Sequence, residues 1–336
     1  PQPEFSSYFV CGTYQLEDTH VDSTVLSCRR KGRIYLYEFD VILKSLKERQ
    51  CIETSSAILD MKWLQQCTNW PTLAVANAKG QIEVFELKNN ALQSRNHVHL
   101  NPECDSLLTL SLDWNWTQST HASGSNRRIL ASDSKGHVSL IEYDLGGGLQ
   151  KIHSWPAHNF EAWTCAFDKW QRNIVYTGGD DTFMHAYDLR TYERILTNNI
   201  HTAGVTSFLS HPKKENILLT GSYDEYLRVF DTRSLKRPLG DINLKGGIWR
   251  LKSDHSTNGT LILVACMYEN FSVVKLADNS DVISLLGVYT EHDSICYGAD
   301  WCPNTYSESR ELYMATCSFY DHKLCISSVL INKRTK

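Results

Sequence analysis

The sequence predicts an all-β chain folded as a seven-bladed WD40-type β-propeller. Three observations carry this: a gap-free internal repeat, a set of weaker copies of it, and no helical periodicity beyond about two turns. The repeat is plain between His158-Asn159-Phe160-Glu161-Ala162-Trp163 and His201-Thr202-Ala203-Gly204-Val205. It continues through Gly178/Gly221 and Asp181/Asp224 and ends at Tyr187-Asp188-Leu189-Arg190 and Phe230-Asp231-Thr232-Arg233. Corresponding residues are 43 apart, inside the period of propeller blades.

The weaker copies pair an apolar run with a turn and an alternating strand. The first is Ser27–Gly32 before Arg33–Tyr37, and the second is Ala76–Gly80 before Gln81–Phe85. Next come Ser132–Gly136 before His137–Leu140, and Cys266–Asn270 before Phe271–Val274. The last is Cys317–Asp321 before His322–Ile326. Turns therefore fall near 32, 80, 136, 181, 224, 270 and 321, giving seven units averaging about 48 residues. Inner strands are expected at Ile58–Trp63, Leu110–Trp114, Trp163–Phe167 and Tyr297–Trp301, short apolar stretches suited to burial between blades. The polar stretches from Thr117 to Arg128 and from Thr305 to Glu311 are expected to be loops. Residues 1–336 are expected to form one domain. Its first blade is expected to be incomplete, because an inner strand would precede Pro1, where the sequence opens without methionine.

Composition narrows the function. With 38 acidic against 34 basic residues, the formal charge of −4 offers no basic footprint for nucleic acid or an anionic membrane. The longest clean apolar run, about Leu261 to Met267, is far short of the roughly 20 residues of a membrane helix. The eleven cysteines include no C-x-x-C pair and sit mostly in apolar runs, as buried thiols do. A cytoplasmic protein without metal or cofactor is the expectation, since no phosphate-binding, dinucleotide or metalloprotease motif occurs.

Several residues invite a catalytic reading and have a structural one beside it. His158 precedes Asp181, and His201 precedes Asp224, each by 23 residues. Such pairs commonly hold an inter-blade loop onto a blade turn. Arg190 and Arg233 are expected to pair with nearby acids. Ser222 lies in a tight turn without the G-x-S-x-G elbow of a nucleophile. More telling is what the loops on one propeller face are expected to hold: Glu161, Trp163, Asp180, Tyr223, Glu225, Trp249, Tyr297, Phe319 and Tyr320. Acids and aromatics together suit a quaternary ammonium held by cation–π contact. They also suit a protein-binding rim, since aromatics are enriched in interface cores.

Several phrases are not generic repeat text: Cys11–Leu16, Thr54–Trp63, Ala157–Trp163, Gly246-Gly247-Ile248-Trp249-Arg250, Tyr297–Trp301 and Ala315–His322. On these the chain resembles the eukaryotic diphthine methylesterase family of diphthamide synthesis, also known as diphthine methyltransferase. The resemblance runs from about Tyr8 to Ile326. It implies that elongation factor 2 is the substrate and other diphthamide-synthesis enzymes further partners. The implied substrate bears a trimethylammonium and a methyl ester. Hydrolysis of that ester, without nucleotide or metal, releases methanol and leaves diphthine for amidation.

Ester hydrolysis needs an activated nucleophile and a donor for the developing oxyanion. One route has Glu161, Asp180, His158 or His322 as general base on water, with Arg250 or a backbone N–H at the oxyanion. The other has Ser222, Ser318 or Cys317 attacking directly. No triad is legible, which favours water. Trp163, Tyr223, Trp249, Tyr297 and Tyr320 are the expected substrate-binding residues. The competing reading is a non-enzymatic scaffold that recruits partners to elongation factor 2 or to trafficking complexes.

Overall fold

The computed structural model describes residues 5–21, 25–65, 69–115, 127–144, 146–254, 256–303 and 311–330. All its regular elements are strands, 28 among the described residues, and the fold class is a seven-bladed β-propeller. Among the described residues no helix is long and apolar enough to cross a membrane. The chain packs as two compact units, Pro1–Phe167 and Asp168–Lys336.

The first unit opens with β1 (Tyr8–Gly12), β2 (Gln15–Val21), β3 (Val25–Lys31), β4 (Arg33–Asp40) and β5 (Ser45–Glu53). Sheet order β1-β4-β5 makes the first blade three-stranded among the described residues, with β2 and β3 a separate hairpin. The stretch Ser27–Gly32, expected as a blade turn, is instead mostly the second arm of that hairpin. Cys11-Gly12 holds the place that Thr177-Gly178 and Thr220-Gly221 hold later. A Cβ on Gly12 would meet Ile58, as one on Gly178 would meet Val205 and one on Gly221 would meet Ile248. The hairpin thus stands where other blades make a short turn.

The second blade is β6 (Ile58–Trp63), β7 (Thr72–Asn77), β8 (Gln81–Lys88) and β9 (Ala91–His99). The third is β10 (Thr109–Trp114), β11 (Arg127–Asp133), β12 (His137–Tyr143) and β13 (Leu149–Pro156). The unit closes on β14 (Thr164–Phe167), and the boundary between units falls inside the fourth blade. The insert expected from Thr117 lies outside the described residues, apart from Arg127 and Arg128, which begin β11.

The second unit holds β15 (Ile174–Gly178), β16 (Met184–Asp188) and β17 (Glu193–Asn198), then β18 (Val205–Ser210), β19 (Ile217–Ser222), β20 (Tyr226–Asp231) and β21 (Gly240–Asn243). It continues with β22 (Ile248–Ser253), β23 (Leu261–Cys266), β24 (Phe271–Leu276) and β25 (Ile283–Tyr289). It ends with β26 (Cys296–Trp301), β27 (Glu311–Ser318) and β28 (Leu324–Leu330). The second expected insert again lies outside the described residues, except Glu311, which begins β27.

Position in the blade decides composition. The second strands are covered on both faces, so Thr-Leu-Ala-Val-Ala-Asn in β7 and Leu-Ile-Leu-Val-Ala-Cys in β23 are buried at every residue. Outer strands face solvent, and β5 carries Lys47, Glu48 and Arg49 exposed. Apolar side chains of adjacent blades meet between the sheets. In the first unit Ile82, Leu112, Ile129 and Tyr143 share one cluster. In the second Leu219, Val229, Ile248, Ile262 and Val274 share another. Each such side chain contributes about 1.5–3 kcal/mol by leaving water.

The turns between second and third strands share a backbone signature. In five of them one residue donates its N–H three residues back and has a positive φ. These residues are Gly80 (68°), Gly136 (79°), Thr182 (71°), Glu225 (71°) and His322 (53°). The first unit uses glycine there and the second does not. Gly136 is also required sterically, because a Cβ would lie 2.2 Å from the carbonyl oxygen of His158.

Candidate functional site

Five inner strands begin with a one-residue register slip against their neighbours, after Ile58, Thr109, Val205, Ile248 and Cys296. The residues passed over are Leu59, Leu110, Thr206, Trp249 and Tyr297. A bulge re-aims the side chain it carries. In the second unit two of these re-aimed positions are large aromatics, and both rings reach turn residues. The Tyr223 and Trp249 ring centroids are 5.9 Å apart. Trp249 and Tyr297 are 5.0 Å apart, Tyr297 and Phe319 5.5 Å, and Phe319 and Tyr320 4.9 Å. Four expected residues, Tyr223, Trp249, Tyr297 and Tyr320, thus join Phe319 in one continuous aromatic surface.

Glycines make the approach possible. A Cβ on Gly204 would lie 2.9 Å from Asp180 Oδ1 and 3.1 Å from the Tyr223 ring, and one on Gly247 would lie 3.0 Å from the same ring. Asp180 is exposed beside Tyr223. On the other side the Arg250 guanidinium lies 5.2 Å from the Trp249 ring centroid, and its Nη1 donates to the Trp249 carbonyl at 3.2 Å. Trp249 is nearly closed over, at 6% exposure, so it is the floor of the surface while the half-buried Tyr223 and Tyr297 form its accessible part. Burial pushes the Tyr223 hydroxyl well above the ordinary tyrosine range, with Tyr297 and Asp180 adding to the rise and Arg250 opposing it. That hydroxyl is therefore a proton donor at neutral pH.

The other expected residues are placed as follows. His322 is exposed at a left-handed turn position, its N–H directed to the Phe319 carbonyl at 3.4 Å. Ser222 is fully buried, donates to the Ala203 carbonyl and accepts from the Asp224 N–H, each at 3.0 Å. The turn thus occupies its hydroxyl. Ser318 is buried and bonded to His292 and Asp321, each at 2.5 Å. His158 is buried, and Glu161 and Trp163 half-buried, in the first unit. There the backbone N–H groups of Ala157 and His158 both donate to the Gly136 carbonyl at 2.9 Å.

The structural reading of His201 and Asp224 fits their geometry. His201 Nδ1 is 3.0 Å from Asp224 Oδ2, and Nε2 is 2.8 Å from Thr220 Oγ1. Arg228 Nη1 donates to the same carboxylate at 2.7 Å. Arg190 and Arg233 grip Asp188 and Asp231 through Nε donors at 2.9 Å. Two residues escaped the sequence reading. His292 makes a related bridge in the last blade, with Nε2 2.9 Å from Thr316 Oγ1 but Nδ1 on Ser318 Oγ, which in turn donates to Asp321, and it stands 29 residues before Asp321 instead of 23. Tyr268, 76% exposed, sits in the turn after β23 and acts on the Tyr223 hydroxyl electrostatically. Its signal was an aromatic in a turn between two strands.

Comparison with known proteins agrees with the fold and adds a family. A family model described as WD domain, G-beta repeat matches residues 192–231. A chain in a crystal structure of the mitotic checkpoint complex superposes with a TM-score of 0.67, covering 89% of this chain and 84% of that one. At 14% identity this speaks for the fold alone. Diphthine methyltransferase of Mus musculus is 38% identical over 317 residues, 90% of this chain. The chain spans 65% of that relative's length. Diphthine methyltransferase of Schizosaccharomyces pombe is 32% identical over 328 residues, covering 96% of this chain and 91% of the relative. Such identity over nearly the whole of both chains shows that this chain belongs to the diphthine methyltransferase family.

Proposed function

We propose that the chain is a carboxylic ester hydrolase that removes the ester methyl of methylated diphthine on elongation factor 2. The relatives' name supports a methyl-modifying role in diphthamide synthesis. The observation that carries the reading is the Tyr223–Trp249–Tyr297 surface, with a carboxylate at one side and a guanidinium at the other. A trimethylammonium packs on tyrosine faces for about 0.5–2 kcal/mol, helped by Asp180. The ester carbonyl then lies toward Arg250 and the protonated Tyr223 hydroxyl, donors suited to a developing oxyanion.

In this reading water attacks the carbonyl carbon and gives its proton to a general base. Asp180 and His322 are the candidates in the second unit, and His158 and Glu161 in the first. The bond to the methoxy oxygen breaks, that oxygen takes the proton as methanol leaves, and a carboxylate remains. The burial of Ser222 and Ser318, and the turn bonds that hold the Ser222 hydroxyl, argue against direct attack by either. Nine of the eleven cysteines are free thiols, which suits a reducing compartment such as the cytoplasm.

The test is incubation with methyl-esterified elongation factor 2, followed by mass analysis of the modified peptide. The expected product is lighter by one methylene, with methanol released. Replacing the true base among Asp180, His322, His158 and Glu161 should lower kcat by about 10²–10⁴-fold. If all four single variants fold and keep the full rate, the water route is wrong. Tyr268 and Tyr320, 76% and 71% exposed, favour a second reading as a binding rim alone. Tight binding of the substrate without any turnover would decide for it.

A further inference from the structure

We infer that β25 is a docking edge for an extended segment of a partner protein, apolar in its middle and cationic at both ends. The strand ends its sheet, whose order is β22-β23-β24-β25. Of the outer strands β5, β9, β13, β17, β21 and β25, only β25 carries no charged side chain. Folded chains blunt such edges with charge, because a bare edge recruits other chains. β28 also ends its sheet without charge, but it is mostly half-buried. Just before and along β25, by contrast, Val282, Leu285, Leu286 and Val288 are each about half exposed. Leu239 joins the strip from the neighbouring blade, because Gly240 packs its bare face on the Asp281 carbonyl.

Gly287 points to a partner. A glycine inside a strand weakens it, and packing within the molecule does not ask for this one. Its φ is not left-handed, and an added Cβ would meet no atom within 4 Å. It leaves a notch between Leu286 and Val288, of the kind that lets another backbone approach closely. The register slip at Leu286 interrupts the edge, so ladder bonds form on either side of it and the apolar side chains carry the contact between. Charge then selects the segment. Val282 to Thr290 is a run of nine uncharged residues closed by exposed acids, Asp281 before it and Glu291 after it. Lys323 pairs with Asp293 at 3.8 Å and donates to the Glu291 carbonyl, and no ion pair within the described residues engages the Glu291 carboxylate. The inner neighbour β24 adds one exposed residue, Lys275 opposite Ser284, and the two ends stay acidic. A second copy paired antiparallel about Leu286 would set each Asp281 opposite the other's Glu291, like charge against like. A segment with lysine or arginine at its ends meets those acids instead.

The experiment selects a phage-displayed library of random peptides on the full chain. The enriched peptides are expected to be apolar in the middle with lysine or arginine at both ends. Synthesised and titrated, they should bind Gly287→Arg about tenfold more weakly, a variant whose side chain enters open space and whose Tm should not change. Glutamate at the peptide ends should weaken binding to the unaltered chain about tenfold as well. Asp281→Lys combined with Glu291→Lys should reverse that preference in a chain that keeps Gly287. Selected peptides without cationic ends, or peptides that bind Gly287→Arg equally well, overturn the inference, as does a selection that enriches nothing. A dimer of the unaltered chain in sedimentation that Gly287→Arg dissolves also overturns it, because the strip then belongs to a second copy.

Discussion

Three buried histidines are held neutral by their surroundings. Burial pushes His211 down to about 4, and Lys214 and Lys169 add to it. Burial likewise lowers His201 against the pull of Asp224, with Arg228 assisting, and His292 against Asp321, Asp293 and Glu291, with Lys323 assisting. A histidine with a lowered folded value binds fewer protons when folded than when unfolded. Its contribution is thus present above the unfolded value near 6.5 and is lost as pH falls toward the folded value. Stability should therefore begin to fall below about pH 6.5, before the carboxylates titrate. A second loss should follow below about pH 4, as Asp224 and Asp321, both held below the usual carboxylate range, take up protons. Urea midpoints measured from pH 7 to 4 check this. His211→Asn, which keeps an acceptor for the Lys213 and Lys214 N–H groups, should flatten part of the first decline. A midpoint that does not change from pH 7 to 5 would contradict the assignment.

Strand positions repeat a chemical device with different consequences. Lys62 on β6 reaches Asp113 on β10 at 3.0 Å, and Lys252 on β22 reaches Asp300 on β26 at 3.0 Å. In both places the tryptophan after the aspartate donates its indole N–H to the lysine carbonyl, at 2.9 Å. Burial separates the two. Asp113 is 22% exposed and also accepts the Phe167 N–H, whereas Asp300 is 65% exposed. Asp113→Ala should therefore cost about 1–3 kcal/mol, having left two donors unmatched. Asp300→Ala should cost about 0–1 kcal/mol, as exposed pairs do. Chemical denaturation of the two variants checks the contrast, and equal losses would sink it. The elements themselves were legible to different degrees. The run Ile58–Trp63 was placed end to end as β6, although only Ile58 is buried and Asp60 and Lys62 interrupt its apolar residues. The bulge after Ile248 left no mark in composition, since it depends on pairing with β23.

For the whole chain, the period of 43 residues identified the repeat because every blade solves the same packing problem. It misplaced the first turn, where the hairpin β2–β3 replaces a short connection and pushes Gly12 out of register with the series. The acid–aromatic face was legible as a list of residue types. Which of them touch was not, because contact between Tyr223, Trp249 and Tyr297 needs the register slips and the bare surfaces of Gly204 and Gly247. The left-handed turn residues carry a further consequence. Where the first unit relies on Gly80 and Gly136, the second carries Thr182, Glu225 and His322 in a conformation that disfavours side chains. Thr182→Gly should therefore raise stability by about 0.5–1 kcal/mol, after the added freedom of the unfolded chain is subtracted, read as a higher Tm. The same exchange at His322 should bring a similar gain and, if the imidazole serves as base, abolish turnover. The half of the molecule that holds the aromatic surface would then be one in which selection has traded robustness for chemistry, and its turns are where a thermostabilised but inactive variant would be sought.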